Sequence, residues 1–252
     1  MCRKKILTIL ASVLVFGGSA SAAIEFNDGG YHVIDYVIND EVKVDYDRTD
    51  AGTQIEIVSG GWLTSGLDAY GTSMITIDGG RVDNHFLSDG YNRVIMYSGI
   101  VQNIGAGDNS KVEIYGGEIT EGIYMSSFAI ITGGTIGNIS AAGLNGRITM
   151  SGGTVLEDIG ATWYGLVTLI GNDFQINGHN VGYRDFASTY ATPGIDPWGY
   201  PWLTGTVSGI LESGDVVNNN FVLYHHGDIT FIPEPGTLLL LLFGSMFLKK
   251  QH

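Results

Sequence analysis

The sequence has little cysteine, little charge and no helical periodicity, and each of these absences excludes a class of structure. Its one cysteine, Cys2, lies at the extreme N-terminus, so the rest of the chain can form neither a disulfide nor a zinc site of cysteine ligands. Only 15% of the residues are charged, and from residue 24 to residue 231 no segment keeps apolar residues at helical spacing for three turns. We therefore predict an all-β fold held together by buried apolar area and backbone pairing.

Basic residues are especially few. The chain has 12 lysines and arginines against 26 aspartates and glutamates, a net charge of −14. A surface of this charge repels the phosphate groups of nucleic acids, and we predict no nucleic-acid partner. No cofactor-binding motif is present, and we predict no cofactor.

Residues 1–22 have the three parts of a secretory signal peptide. A basic start is followed by an apolar core from Ile6 to Phe16 and by the small residues Ala20, Ser21 and Ala22. The alternative, a transmembrane anchor, needs about 20 apolar residues, and this core supplies only about half of them. We therefore expect export of the protein, with cleavage near Ala22.

Glycine is abundant, with 38 residues, and its pairs mark a repeat along residues 54–176. The second glycine of each pair, or its substitute, recurs at positions 61, 80, 99, 117, 134, 153 and 172. A period this short predicts a solenoid whose coils bury their apolar sides against one another. We predict a single-stranded parallel β-helix of about seven coils, right-handed because parallel crossovers are strongly biased that way.

Three rows of apolar residues support the solenoid. Their positions are fixed relative to the glycine pairs, and strand alternation would turn all three rows inward. A fourth row drifts by one residue between units, as expected where a turn varies in length. Glu56 stands where the first unit should be apolar, so we predict that this unit is a capping coil, and we assign residues 23–53 before it to an N-terminal β cap. The rows are Ile75, Val94, Val112, Ala129, Ile148, Val167; Val58, Ile77, Met96, Ile114, Ile131, Met150, Leu169; Leu63, Val82, Val101, Ile119, Ile136, Val155, Phe174; and Leu67, Phe86, Ile104, Ile123, Ile139, Ile159.

Two polar rows accompany them. One predicts a ladder of hydrogen-bonded side chains at a turn, with a ligand-binding row as the alternative. The other row is basic and is interpreted as solvated charge at a strand edge. The first consists of Ser65, Asn84, Asn103, Glu121, Asn138 and Glu157, and the second of Arg93, Lys111 and Arg147.

The repeat stops at residue 176, and residues 177–231 are predicted to form a small C-terminal β cap. Trp198, Tyr200 and Trp202 within it could stack on sugar rings, with aromatic packing inside the cap as the alternative. The adjacent His225 and His226 would point to opposite faces of a strand, which argues against a shared metal ion.

The acidic residues predict no active site. A β-helix that cleaves polysaccharides needs carboxylates that converge on one face, and here they fall in different rows. We therefore name no catalytic residue and predict that the protein is not an enzyme. In the acidic segment 35–50, a solvated edge strand is one interpretation; the other is a weak calcium site at Asp45, Asp47 and Asp50, which lacks the glycine and distal glutamate of known calcium loops.

The last residues, 232–252, carry a triplet Pro233–Glu234–Pro235, an apolar run from Leu238 to Leu248, and then Lys249 and Lys250. This order of parts resembles the PEP-CTERM sorting signal of Gram-negative bacteria that secrete exopolysaccharide. The resemblance implies recognition of the triplet by an exosortase, a membrane protease-transpeptidase, while the lysines hold the C-terminus inside. The apolar run is shorter than usual, since eleven helical residues span about 17 Å of a bilayer core near 30 Å.

Together these features predict an exported structural or interaction protein of the cell surface or extracellular matrix. The resemblance implies sorting by exosortase, transient insertion in the inner membrane and association with exopolysaccharide or other envelope components. The alternative is a β-helix that binds or cleaves carbohydrate.

Overall fold

The computed structural model describes residues 23–47, 50–195 and 199–234, and these residues are almost entirely β-strand. They form one 21-stranded sheet that winds as a parallel β-helix of about eight turns, which confirms the predicted fold class. Right-handed winding stays a prediction. The first strands are β1 (Ile24–Phe26), β2 (Tyr31–Ile34), β3 (Val37–Ile38), β4 (Val42–Val44), β5 (Gln54–Val58), β6 (Trp62–Leu63) and β7 (Leu67–Ala69).

The remaining strands complete the solenoid and its C-terminal end. Those of the middle coils are β8 (Met74–Val82), β9 (Phe86–Ser88), β10 (Arg93–Ala106), β11 (Lys111–Ile114), β12 (Glu118–Met125), β13 (Phe128–Ala142), β14 (Arg147–Val155), β15 (Asp158–Thr162) and β16 (Leu166–Ile176). The last elements are β17 (His179–Asn180), a short 3-10 turn (Ala187–Thr189), β18 (Thr192–Ile195), β19 (Pro201–Leu211), β20 (Val216–Tyr224) and β21 (Asp228–Pro233). No helix in this described part is long and apolar enough to cross a membrane.

The apolar rows predicted from the glycine pairs form the core. Val94, for example, pairs with Ile75 on one side and with Val112 on the other, and all three side chains are fully buried. The fourth, drifting row is equally regular in space, since Ile104 pairs with Phe86 and with Ile123. Parallel pairing places identical positions of successive coils about 4.8 Å apart, so each row packs against itself along the rod.

A fifth inward row escaped the sequence analysis. It lines the third side of each coil, which strands such as β4, β7 and β9 form. Most of its members are small residues, which do not stand out as an apolar pattern in the sequence. Strand pairing nevertheless stacks these residues in one row, which consists of Val44, Ala69, Ser88, Ala106, Met125, Ala141, Ala161 and Leu223.

Residues 23–53, predicted as an N-terminal β cap, carry strands that continue the parallel stacking of the solenoid. Strands β2, β3 and β4 pair in parallel with β5, β6 and β7, as in every later coil. The first unit is also in register, since Ile57 rather than Val58 pairs with Ile77. Four residues separate Ile57 from Trp62, whereas three separate their partners Ile77 and Arg81, so the first unit has one extra residue before its corner and a fixed count misses the register.

The glycine pairs turn the chain from the first to the second side of each coil. Gly99 has a φ of 102°, and a Cβ added there would lie 2.3 Å from the carbonyl oxygen of Gly80 in the preceding coil. Both the positive φ and the close approach of the backbones require glycine.

Residues 177–231, predicted as a C-terminal β cap, leave the solenoid and return to close it. Strand β19 runs antiparallel to β16 and to β20. Strands β20 and β21 then pair in parallel with β15 and β16, so that Phe221 lies on Ile159 and Phe231 on Leu169. Phe174, predicted as the last member of the third row, packs on Phe231 with ring centroids 5.1 Å apart. The end of the rod is thus sealed by large aromatic side chains.

Candidate functional site

Two equivalent turns on neighbouring coils carry four aromatic residues at the C-terminal end of the rod. The first, Trp163–Tyr164–Gly165, joins β15 to β16, and the second, His225–His226–Gly227, joins β20 to β21. In each turn the two residues before the glycine have positive φ values, 51° and 69° in the first and 46° and 66° in the second. Consecutive residues of this conformation form a tight turn that projects both side chains outward.

The two turns are in register, and their rings therefore stack. Trp163 lies on His225 with ring centroids 4.0 Å apart and an interplanar angle of 16°. Tyr164 lies on His226 at 5.1 Å and 23°. These separations are close to the spacing of two parallel strands, about 4.8 Å, so the register of β15 with β20 dictates the stacking.

Glycine at the third position of each turn lets the coils approach. A Cβ added at Gly165 would lie 2.2 Å from the carbonyl oxygen of Ala141, and one added at Gly227 would lie 2.2 Å from that of Ala161. No side chain fits at these distances, so both turns depend on glycine.

A cavity of about 480 Å³ opens beside the second turn. Trp202 stacks on Tyr224 at its wall, with ring centroids 5.8 Å apart, and Tyr200 meets His225 edge to face at 5.7 Å. We call this cavity, together with the stacked turns, the aromatic cleft. Its lining residues are Ser188, Pro193, Gly194, Pro201, Trp202, Leu203, Leu223, Tyr224, His225, His226, Gly227 and Asp228.

Two polar groups at the aromatic cleft are either buried or already hydrogen-bonded. The indole Nε1 of Trp202 is buried without a hydrogen-bond partner within the described structure. The carboxylate of Asp228 is occupied, because it accepts hydrogen bonds from the backbone N–H of Ser188 at 3.1 Å, from the Ser188 hydroxyl and from the backbone N–H of Ile229 at 2.8 Å. The cleft therefore presents ring faces, rather than these two polar groups, to a ligand.

Of the predicted sugar contacts, Tyr200 and Trp202 belong to the aromatic cleft, and Trp198 lies outside the described residues. Sequence reasoning missed the contribution of Trp163. The signal was present, since a pair of large rings followed by glycine occurs in both "WYG" and "HHG". The strand assigned to His225 is wrong, because that residue lies in a turn.

The carboxylate of Asp45, one of the three candidate ligands in the alternative calcium interpretation, is engaged within the fold. Asp45 is fully buried, and its carboxylate accepts hydrogen bonds from the backbone N–H groups of Gly52 and Thr53, both at 3.1 Å, and from the Thr53 hydroxyl at 2.6 Å. Asp45 therefore stabilises the turn that leads into β5. Among the described residues, Asp47 and Asp50 do not gather with it into a group of potential metal ligands.

The polar row forms the predicted hydrogen-bonded ladder. Each asparagine amide donates to the main-chain carbonyl of the row member in the coil before it. Asn103 donates to Asn84 at 2.7 Å, and Asn138 donates to Glu121 at 2.8 Å. Asn84 donates in the same way to Ser65 at 3.3 Å. The ladder continues into the C-terminal end, where Asn219 donates to Glu157 at 2.8 Å, so we assign the row a structural role.

The basic row is not simply solvated, as the sequence predicted. Arg93 and Lys111 both bind the carboxylate of Glu113, with Arg93 Nη2 at 2.5 Å from Glu113 Oε2. Glu113 is only 3% exposed. Burial raises the pKa of this carboxyl, but the hydrogen bonds from Lys111 and Arg93 outweigh burial, and the pKa lies below its ordinary value of 4.5.

The first two residues of the predicted sorting triplet end the described chain. Pro233 pairs with Gly171 at the last position of β21. Glu234 Oε1 accepts a hydrogen bond from Asn172 Nδ2 at 3.0 Å. Pro235, Lys249 and Lys250 lie outside the described residues.

Comparison of the chain with models of protein families, with characterised proteins and with solved structures finds no match.

Proposed function

We propose that this chain is an exported, non-enzymatic protein of the cell surface or extracellular matrix that binds exopolysaccharide through its aromatic cleft. The observation that carries the proposal is the in-register stacking of Trp163 on His225 and of Tyr164 on His226, beside a cavity of about 480 Å³. This volume lies within the range of about 300–1,000 Å³ that small-molecule sites occupy.

Exposed aromatic faces suit the apolar faces of sugar rings. An aromatic side chain offers a large apolar face and a polar edge, and a sugar ring likewise has apolar C–H faces and a rim of hydroxyls. Trp163 is 58% exposed and Tyr164 52% exposed, which is unusual for side chains of this size. The net charge of −14 repels anionic polymers, so we propose neutral polysaccharides as the ligands.

The carboxylates favour binding over cleavage. Hydrolysis of a glycosidic bond generally needs a pair of carboxyl groups on either side of the bond. Among the described residues that line the cavity, Asp228 is the one carboxylate, and its hydrogen bonds hold the 3-10 turn in place. The cleft therefore supports recognition of a sugar chain without a reaction.

The test is calorimetric titration of the purified protein with neutral glucose oligosaccharides, with oligogalacturonate as the anionic comparison. We expect binding of the neutral ligand and about tenfold weaker binding by Trp163→Ala, a loss of about 1.4 kcal/mol, because the variant removes an exposed ring face. Trp62→Ala is the matched control, because Trp62 lies on another side of the rod under Arg81. Equal loss in both variants, or release of reducing ends by the wild type, would contradict the proposal.

Sorting by exosortase is the second part of the proposal and rests on the resemblance of residues 232–252. We expect the mature protein from its native host to lack all residues after about Pro235. Replacement of Pro233 and Glu234 by alanine should leave the tail attached. Intact-mass measurement decides the matter, and a wild-type mass that includes Lys249 and Lys250 would refute this part alone.

A further inference from the structure

Three side chains from three successive coils meet near the N-terminal end of the rod. Glu41 precedes β4, Asp68 lies in β7, and His85 precedes β9. His85 Nε2 is 3.1 Å from Asp68 Oδ1 and 3.7 Å from Glu41 Oε1. One potential ligand atom of each residue lies within 4.8 Å of the others, and among the described residues this is the one group of three that does so.

A glycine in the middle coil makes the meeting possible. Val42, Leu67 and Phe86 are paired across the three coils, so Gly66 lies between Glu41 and His85 in the stack. A Cβ added at Gly66 would lie 2.8 Å from the His85 ring. The missing side chain leaves a gap in which the imidazole reaches past the middle coil toward Glu41.

One buried oxygen in this gap accepts no hydrogen bond among the described residues. Asp68 is 8% exposed, and its Oδ1 is buried without a hydrogen bond, although the acceptor is an ionisable carboxylate. His85 Nε2 lies close to Oδ1 but does not meet it at a hydrogen-bonding angle. A buried carboxylate oxygen without a donor costs free energy, and a bound cation would remove that cost.

We infer that Glu41, Asp68 and His85 form a binding site for a divalent transition-metal ion of the Zn²⁺ type. Zinc binds imidazole nitrogen and carboxylate oxygen at about 2.0–2.2 Å, so two ligand atoms of a tetrahedral site lie about 3.3 Å apart. The distances from His85 Nε2 to the two oxygens, 3.1 and 3.7 Å, bracket that value. Three protein ligands leave a fourth position for water.

The ligand types distinguish among metals. Calcium and magnesium take oxygen ligands almost exclusively, whereas imidazole suits zinc, copper and nickel. The neighbouring groups leave the site available, because Lys43 Nζ binds the other oxygen, Oε2, of Glu41 at 3.2 Å. The Tyr70 hydroxyl likewise lies at 3.4 Å from the other oxygen, Oδ2, of Asp68.

The test is calorimetric titration of the chelator-treated full chain with ZnCl₂. We expect one ion per chain at this site and at least about tenfold weaker binding by His85→Ala and by Asp68→Asn, since even an outer-shell change costs about 10- to 100-fold in affinity. The matched control is His32→Ala, because His32 also pairs with an aspartate, Asp28 at 2.8 Å, but without a third ligand. It should bind Zn²⁺ as the wild type does.

A second readout is the protection of the first coils. An ion shared by three coils should slow amide hydrogen exchange in β4, β7 and β9 and raise the melting temperature. Asp68→Asn is nearly isosteric and decides the matter if His85→Ala does not fold. Absence of Zn²⁺ binding by the wild type, unchanged binding by Asp68→Asn, or loss of binding in a His225→Ala/His226→Ala variant would overturn the inference.

Discussion

The coils over residues 54–155 and the C-terminal segment 177–234 bury apolar side chains in different ways. In the coils, a core residue packs on the equivalent residue of the next coil, as Ile114 does on Ile131. In the C-terminal segment the chain leaves the stack, reverses direction in β19 and then rejoins it with two large rings, Phe221 and Phe231. The comparison teaches that regular stacking supplies stability, whereas the departure from it creates a concave surface.

The largest expected effect comes from a charge in the regular core. Ile131→Asp would bury an unpaired carboxylate between Ile114 and Met150, at a side chain with no exposed surface, and should unfold the coils. Ile100→Asp is the control, because Ile100 is 37% exposed and should tolerate the change. Circular dichroism during heating measures both, and a native melting curve for Ile131→Asp would contradict the role of this row.

Truncation of a ring in the C-terminal segment should cost less and act locally. Phe221→Ala removes a fully buried side chain above Ile159, at a cost of about 3–5 kcal/mol. We expect hydrogen exchange to accelerate in β20 and β21 while β8 to β14 keep their protection. Ile195→Ala, at a side chain that is 74% exposed, should change neither. Uniform loss of protection would mean that the two regions unfold as one.

The asparagine ladder runs through both the coils and the C-terminal segment, so the stability that one ladder hydrogen bond contributes can be compared between the two regions. Asn219 is 7% exposed and donates to the carbonyls of both Val155 and Glu157, so Asn219→Ala leaves buried acceptors unpaired and should cost about 1–3 kcal/mol. Asn103→Ala, at a half-buried residue whose amide hydrogen bond is exposed, should cost about half as much or less because water replaces the amide. Urea unfolding measures both, and equal losses would show that burial does not set the difference.

The smallest effect concerns the pH dependence of the coils. Hydrogen bonds from Lys111 and Arg93 lower the pKa of Glu113 despite its burial, so its carboxylate stabilises the fold above pH 4.5 and loses this contribution as the pH falls through the lowered folded-state pKa. Glu113→Gln should therefore melt at a lower temperature than the wild type at pH 7, and the gap should close toward pH 3. A gap that widens in acid would reverse the assigned sign.

The apolar rows could be predicted from the sequence because a solenoid brings equivalent residues together at a fixed spacing. Ile114 and Ile131 contact each other for that reason alone. The fifth row was missed because small residues such as Ala106 and Ala161 carry no apolar signal. The register of the first unit was missed because it has one extra residue between Ile57 and Trp62, which shifts a count made from the glycine pair.

The candidate sites were less predictable. Trp163 and His225 meet only because the chain returns, after a long excursion, in register with β15. Glu41, Asp68 and His85 are unequally spaced in the sequence, and so no count of repeats brings them together. Asp45, by contrast, was named as a possible calcium ligand, and its carboxylate accepts hydrogen bonds within a turn.

Because each coil contacts only its neighbours, the number of coils fixes the distance between the two ends of the rod. Removal of residues 93–110, which joins Asn92 to Lys111, deletes one whole coil and leaves every apolar row in register, since Arg93 and Lys111 occupy equivalent positions. The change would shorten the separation between Glu41, Asp68 and His85 at one end and the aromatic cleft at the other by about 4.8 Å. Duplication of the same residues would lengthen this separation by about 4.8 Å. The distance between the two candidate sites can therefore be changed without a change to the residues of either site.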